Sequence, residues 1–215
     1  MEASSSQSPA QRQRRKEARP AEMIAAALEL FVEKGFAATR MDAIAARAGV
    51  VKGTLYLYFD SKETLFREAI QRTLTPILKD LAQMIDTFEG SSADLLRALL
   101  NAWWRLIGST TLGGLPKLMI SESRNFPELA AYYVETVILP GRDLLRRSLQ
   151  RGVASGEFRT IDIETSIDVL IAPVIMLVVW RYSLGACTTD ARMSDPQTYL
   201  AVLLDLNLAG LLKRP

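Results

Sequence analysis

Residues 41–59 read MDAIAARAGVVKGTLYLYF, and the spacing of small and apolar side chains in this stretch decides the fold. The pattern predicts a helix over 41–48, a sharp turn at Gly49 and Val50, and a second helix over 52–59. Ile44 and Ala45 share one face of the first helix, and Ala45 is small enough to let the second backbone approach. Val50 plugs the corner, and Leu55 with Phe59 returns the contact from the second helix. That is a helix-turn-helix pattern. Gly49 suits the position where a chain leaves a helix in a left-handed conformation that a side chain would penalise. Thr39 is expected to cap the first helix, with Asp42 completing a T-x-x-D box. With the apolar positions turned inward, Lys52, Gly53, Thr54, Tyr56 and Leu57 face outward. Donors, a hydroxyl and a close-approach glycine suit a major groove and its phosphates. The bare motif also occurs in all-α proteins that bind no DNA, so the flanking sequence has to decide between the two.

Residues 1–19 are rich in Ser, Gln and Arg without apolar periodicity and read as a disordered basic arm. Arg12, Arg14, Arg15, Lys16 and Arg19 are placed either along phosphates or simply in solvent. Pro20 then opens a helix with Ile24, Ala27, Leu28 and Phe31 at helical spacing, which stops at Gly35. Beyond the motif a long helix runs over 62–88, with a bend expected at Pro76. Lys62 stands at its start beside unpaired N–H groups, where lysine and amides together can hold a phosphate.

Charge is divided unevenly along the chain. Residues 1–62 carry ten Lys/Arg against seven Asp/Glu, a net of +3, whereas 63–215 carry sixteen against seventeen, a net of −1. The basic end is the end with the motif, as attraction to phosphates requires. There is no histidine and a single cysteine, Cys187. A Ser/His or Cys/His nucleophile pair, a histidine zinc site and an internal disulfide are thereby excluded. No enzyme activity, catalytic residue, metal or cofactor is expected. The first residues, MEASSSQSPAQRQRRKEA, lack the apolar stretch of a signal peptide, so a cytoplasmic address is expected. The longest apolar run, residues 169–180, contains Pro173 and falls short of the roughly 20 residues needed to cross a bilayer.

The run GFAATRMDAIAARAGVVKGTLYLYFDSKETL, residues 35–65, resembles the DNA-binding domain of the tetracycline-repressor (TetR) family of bacterial regulators. Gly35, Phe36, Thr39, Ile44, Ala45, Gly49, Val50, Lys52, Gly53, Leu55, Tyr56, Phe59, Lys62 and Leu65 carry the resemblance, which extends over residues 17–77. It implies that Thr39, Tyr56 and Lys62 contact phosphates and that Lys52, Gly53 and Thr54 approach bases. With Arg40 these are the candidate DNA-binding residues. Val51, where the family commonly has Ser or Thr, and Leu57 depart from the family's polar pattern.

The expected architecture is all-α: a helix-turn-helix domain over 20–66 followed by a helical ligand-binding and dimerisation domain over 67–215. The stretch PKLMISESRNFPELAAYY is similar to the ligand domain of multidrug-efflux repressors. Trp103, Trp104, Met119, Phe126, Tyr133 and Met176 are the candidate ligand-pocket residues, supplying apolar and aromatic surface. Residues 163–184 and 196–212 read as two helices apolar nearly all round, which must be buried. Pairing with a second copy in a four-helix interface buries them most economically. The function expected is that of a dimeric, ligand-responsive repressor on an inverted-repeat operator, released by a small apolar or amphipathic effector. The alternative is a helix-turn-helix domain used for protein–protein interaction.

Overall fold

The computed structural model describes residues 9–187 and 195–213. The chain divides into two compact units between Ala69 and Ile70. Residues 1–8 of the basic arm lie outside the described residues, as do the side chains of Arg12, Arg14, Arg15 and Lys16.

The first unit consists of α1 (Pro9–Lys34), α2 (Met41–Arg47), α3 (Lys52–Tyr56) and the opening turns of α4 (Lys62–Thr87). Its core is built on three phenyl rings: the Phe31 and Phe36 centroids lie 5.1 Å apart, Phe31 and Phe66 5.9 Å, and Phe36 and Phe66 5.8 Å. Ile24, Ala27, Leu30, Ile44, Ala45, Leu55, Phe59 and Leu65 are buried with them. Such tilted and edge-on ring pairs add a favourable electrostatic contribution to the apolar area they bury.

Two boundaries differ from the sequence pattern. The helix expected from Pro20 begins at Pro9, so the backbone of residues 9–19, read as disordered, is helical. That stretch is rich in Ala, Gln, Arg, Lys and Glu, whose helix propensity leaves no apolar stripe to read. The helix expected to reach Phe59 ends at Tyr56. Tyr58 N–H donates back three residues to the Leu55 carbonyl at 3.1 Å, and Phe59 N–H reaches the same oxygen at 3.0 Å. The tightened turn leaves Phe59 buried without a further helical turn.

The second unit holds the remainder of α4, which continues through Pro76, and then α5 (Ser92–Trp103), α6 (Leu115–Glu122), α7 (Pro127–Tyr133), α8 (Leu139–Ala154), α9 (Ile163–Arg181) and α10 (Pro196–Leu211). Wide π turns over Trp104–Gly108 and Val134–Ile138 follow α5 and precede α8. Leu78, Leu81 and Ile85 of α4 pack with Leu95 and Leu99 of α5 and Leu144 of α8. A second cluster joins Leu96, Leu149, Phe158, Ile167 and Leu208, and a third joins Trp104, Val174, Leu177, Val178 and Leu200. Carboxylates cap several helix starts. Asp162 accepts from Thr165 N–H at 2.9 Å, and Asp195 accepts from Gln197 and Thr198 N–H at 3.1 and 3.3 Å. Glu157, far away in sequence, accepts from Ser92 and Ala93 N–H at 2.6 and 3.0 Å and so caps α5.

By length and composition α9 is apolar enough to cross a membrane, and 22% of its most apolar window is buried within the chain. Counting the uninterrupted apolar run fell short of this, because the helix begins at Ile163 and takes in Ile163 and Ile167 across Glu164 and Asp168, which break the run. Its inner side, Ile167, Val174, Leu177 and Val178, is buried, whereas Val169 and Met176 are exposed. On α10, Leu200, Leu204, Leu208 and Leu211 are buried, and Val202 and Leu206 are exposed.

Candidate nucleic-acid interface

The turn between α2 and α3 is made as its sequence demands. Gly49 has φ +66°, and the chain leaves α2 through two backwrapped bonds, Gly49 N–H to the Ala46 carbonyl at 3.2 Å and Val50 N–H to the Ala45 carbonyl at 2.9 Å. This double bond pattern satisfies carbonyls that the helix end would otherwise leave unpaired. Ile44 and Ala45 face inward on α2 and Leu55 does so on α3, while Val50 is half-buried in the corner.

Two of the candidate contacts are committed elsewhere. Thr39 is only 2% exposed. Its hydroxyl lies 2.6 Å from the Gly35 carbonyl and 3.1 Å from that of Leu30, so its one proton serves the end of α1. It neither caps α2 nor reaches solvent: the cap position belongs to Arg40, whose side chain makes no capping bond. A phosphate has no access to a hydroxyl sealed under α1. Lys62 is turned into the loop between α1 and α2. Its ammonium donates to the carbonyls of Phe36, Ala37 and Thr39 at 2.6, 3.3 and 3.1 Å and sits 4.4 Å from the Phe36 ring centroid. An ammonium has three protons, and here all three have carbonyl partners. Lys62 therefore clamps the loop that positions α2.

The remaining candidates lie on the surface. Arg40 is exposed and paired with Asp42 at 3.1 Å. The hydrogen bond from Arg40, and then its charge, hold the Asp42 carboxyl below its ordinary range against the effect of burial. Asp42 also accepts from Ala43 N–H at 3.0 Å, a local bond in place of the expected reciprocal box. Lys52 is exposed, with its ammonium 5.8 Å from the Tyr56 ring centroid, and Tyr56 itself is exposed. Thr54 is half-buried. Around Gly53 a side chain would meet nothing within 4 Å, which leaves an open approach to the backbone. The face of α3 thus brings together Lys52, Gly53 and Tyr56, flanked by Val51 and Leu57, two exposed apolar residues outside the candidate list.

The ligand-pocket candidates lie at different depths. Trp104 is buried against α9 and α10, with Trp103 packed on the same cluster. Met119 and Tyr133 are buried and Phe126 is half-buried. Burial pushes the Tyr133 hydroxyl well above the ordinary tyrosine range, so it stays neutral. Met176 is 55% exposed on the outer side of α9, a side that the uniform apolarity of α9 gave no signal for. A groove of about 590 Å³ between α5 and α10 is lined by Arg97, Asn101, Gln197, Thr198, Ala201, Leu204 and Asp205, and by none of the six candidates.

The first unit is a helical head carrying a helix-turn-helix pair, and the second unit is all-helical among its described residues. Residues 23–69 match the model of bacterial regulatory proteins of the tetR family, and residues 84–186 match the tetracyclin repressor-like C-terminal domain. The chain belongs to the TetR family. The HTH-type transcriptional repressor KstR2 of Rhodococcus jostii is 28% identical over 195 residues, covering 88% of this chain and 91% of the repressor. The fatty acid degradation regulator FadR of Bacillus halodurans superposes with a TM-score of 0.73 at 21% identity, covering 97% of this chain and all of that one. FadR of Bacillus subtilis, solved in complex with stearoyl-CoA, also gives a TM-score of 0.73 at 21% identity, covering 88% of this chain and 98% of that one. None of these relatives is a multidrug-efflux regulator, and the expected membership of that subgroup finds no support in them.

Proposed function

We propose that the chain is a homodimeric repressor that binds an inverted-repeat operator through Lys52, Gly53, Thr54 and Tyr56 of α3, with Arg40 beside them, and is released by an amphipathic effector of the fatty-acyl or steroid kind. The observation that carries this reading is the uncovered apolar surface of the last two helices: Val169 and Met176 on α9, and Val202 and Leu206 on α10. A second copy covers that surface in the way a four-helix interface does. A two-fold dimer presents its two α3 helices symmetrically, so the operator repeats in inverted orientation, with half-sites about 34–36 Å apart or a multiple of it. Ligand and DNA favour different dimer geometries, and by linkage each weakens the other by the same factor. The effector class is drawn from the relatives: a regulator of fatty acid degradation, another in complex with stearoyl-CoA, and the KstR2 repressor, of which one solved structure is described as a ketosteroid regulator. A protein with this task works in the cytoplasm, beside the chromosome.

The test is sedimentation of the full chain, alone and with duplexes selected from the source genome, followed by titration with stearoyl-CoA. Two chains per palindromic duplex, salt-dependent binding and release by the acyl-CoA are expected. A monomer that ignores duplexes at low salt overturns the proposal. A dimer that binds DNA but is released neither by stearoyl-CoA nor, in a second titration, by a ketosteroid overturns the effector class alone.

A further inference from the structure

The recognition helix displays apolar surface for which the contacts proposed above have no use. Val51, its N-cap, is 73% exposed, and Leu57, its C-cap, is 84% exposed. The head does not need them for packing, since Leu55 and Phe59 already supply the buried side of this segment. Leu57 keeps helical dihedrals, φ −69° and ψ −21°. It therefore shares a face with Gly53, four residues earlier. Because a Cβ at Gly53 would have no neighbour within 4 Å, nothing holds an approaching surface away from Leu57. An isolated exposed apolar residue calls for no explanation. Two of them bracketing the DNA-facing lysine and glycine do.

On the base edges of a major groove the one apolar group is the C5-methyl of thymine. Guanine offers two acceptors there, adenine an acceptor and an amino donor, and cytosine an amino donor, groups that lose solvation against a hydrocarbon side chain. We propose that Leu57, together with Val51, reads thymine methyl groups and thereby determines sequence specificity, while Lys52 and the tyrosine hydroxyl of Tyr56 hold the backbone. This rests on α3 docking in the major groove, as proposed above. It predicts thymines at fixed positions in each half-site, read by contact with carbon rather than by hydrogen bonds.

The test replaces each thymine of a selected operator, one at a time, with deoxyuridine, which keeps the base pair and removes only the methyl. With the full-length parent, at least one position in each half-site should weaken binding by about fourfold, the equivalent of one buried methylene. Leu57→Ala should weaken binding to the thymine operator by a similar factor and be indifferent to deoxyuridine at that same position. Val51→Ala should do so at a neighbouring one. Both side chains are exposed, so neither variant should unsettle the head, which a thermal melt confirms. If the parent binds tightly yet ignores every deoxyuridine, or if Leu57→Ala stays as sensitive as the parent at all positions, the methyl contact is wrong while DNA binding stands. If Leu57→Ala leaves DNA affinity intact and changes the sedimentation coefficient instead, the patch is a protein contact and the proposal is overturned. A parent that binds no duplex overturns the docking itself.

Discussion

The two helix pairs that matter most, α2–α3 and α9–α10, are built on opposite principles. α2 and α3 have seven and five residues, too few for either to be stable alone. Their positions come from outside: the phenyl cluster, the left-handed Gly49, the Thr39 hydroxyl fastened under α1, and the Lys62 clamp. Because the scaffold holds them, their outer residues are free to be chosen for a partner. α9 and α10 have nineteen and sixteen residues and are apolar on nearly every side. They bury one face within their own unit and leave the other face bare. In the function proposed above, the short helices on a rigid support serve as the reader and the long helices with surplus apolar surface as the joint.

The sharpest way to break this contrast is to remove the support. Phe36→Ala deletes the ring that packs on Phe31 and Phe66 and lies beneath the Lys62 ammonium. It should cost about 3–5 kcal/mol in denaturant unfolding of the head and abolish DNA binding. A loss under about 1 kcal/mol would mean that the short helices do not depend on the cluster. Next in size is Leu206→Glu, which places a charge on the bare face of α10, 68% exposed in the single chain. A central interface residue carries about 2–4 kcal/mol, so sedimentation should show monomers with unchanged helix content by circular dichroism. A persistent dimer would move the joint elsewhere.

Lys62 and Lys52 sharpen the comparison within the head. Lys62→Ala should cost about 1.5–3 kcal/mol of stability, as for hydrogen bonds to a charged donor, and leave the slope of log K against log salt unchanged. Lys52→Ala should leave the melt unchanged and reduce that slope by about one. Exchanged results would return Lys62 to the phosphates.

The smallest effect is a pH dependence in the second unit. Burial pulls the Glu157 pKa up, but the N–H groups of Ala93 and Ser92 pull it down further, leaving it below the ordinary glutamate value. A carboxyl with a depressed folded pKa contributes stability that is complete above the unfolded value and lost as pH falls through the folded one. Glu157→Gln should therefore narrow the stability difference between neutral and acid pH, measured by melting at both. Equal pH profiles for parent and variant would show that the charge of Glu157 adds nothing to the cap at α5.

Much of the head was legible because its signals are local. The glycine turn, the inward Ile44, Ala45 and Leu55, and the outward Lys52, Gly53 and Tyr56 follow from spacing along one stretch. The bonds of Thr39 and Lys62 were not legible for the converse reason: as residue types both suit a phosphate, but their partners in the folded chain sit on a loop and a helix end elsewhere. Lys62 finds the Phe36 carbonyl 26 residues away, and no periodicity encodes that distance. The outward position of Met176 was not legible because a helix apolar all round has no phase to read, and the packing of Trp104, Val174, Leu177, Val178 and Leu200 decides which side is inside.

What the sequence determined by itself was the class of fold, the place of the helix-turn-helix and the family, since small residues, glycine and apolar period act through near neighbours. The tertiary structure decided which polar groups remain free for a partner and which are used to hold the frame. It also decided which flank of each apolar helix stays uncovered. A side chain of a given type can serve either purpose, and the choice is made by which distant backbone atoms and faces the folded chain brings within a few ångströms of it.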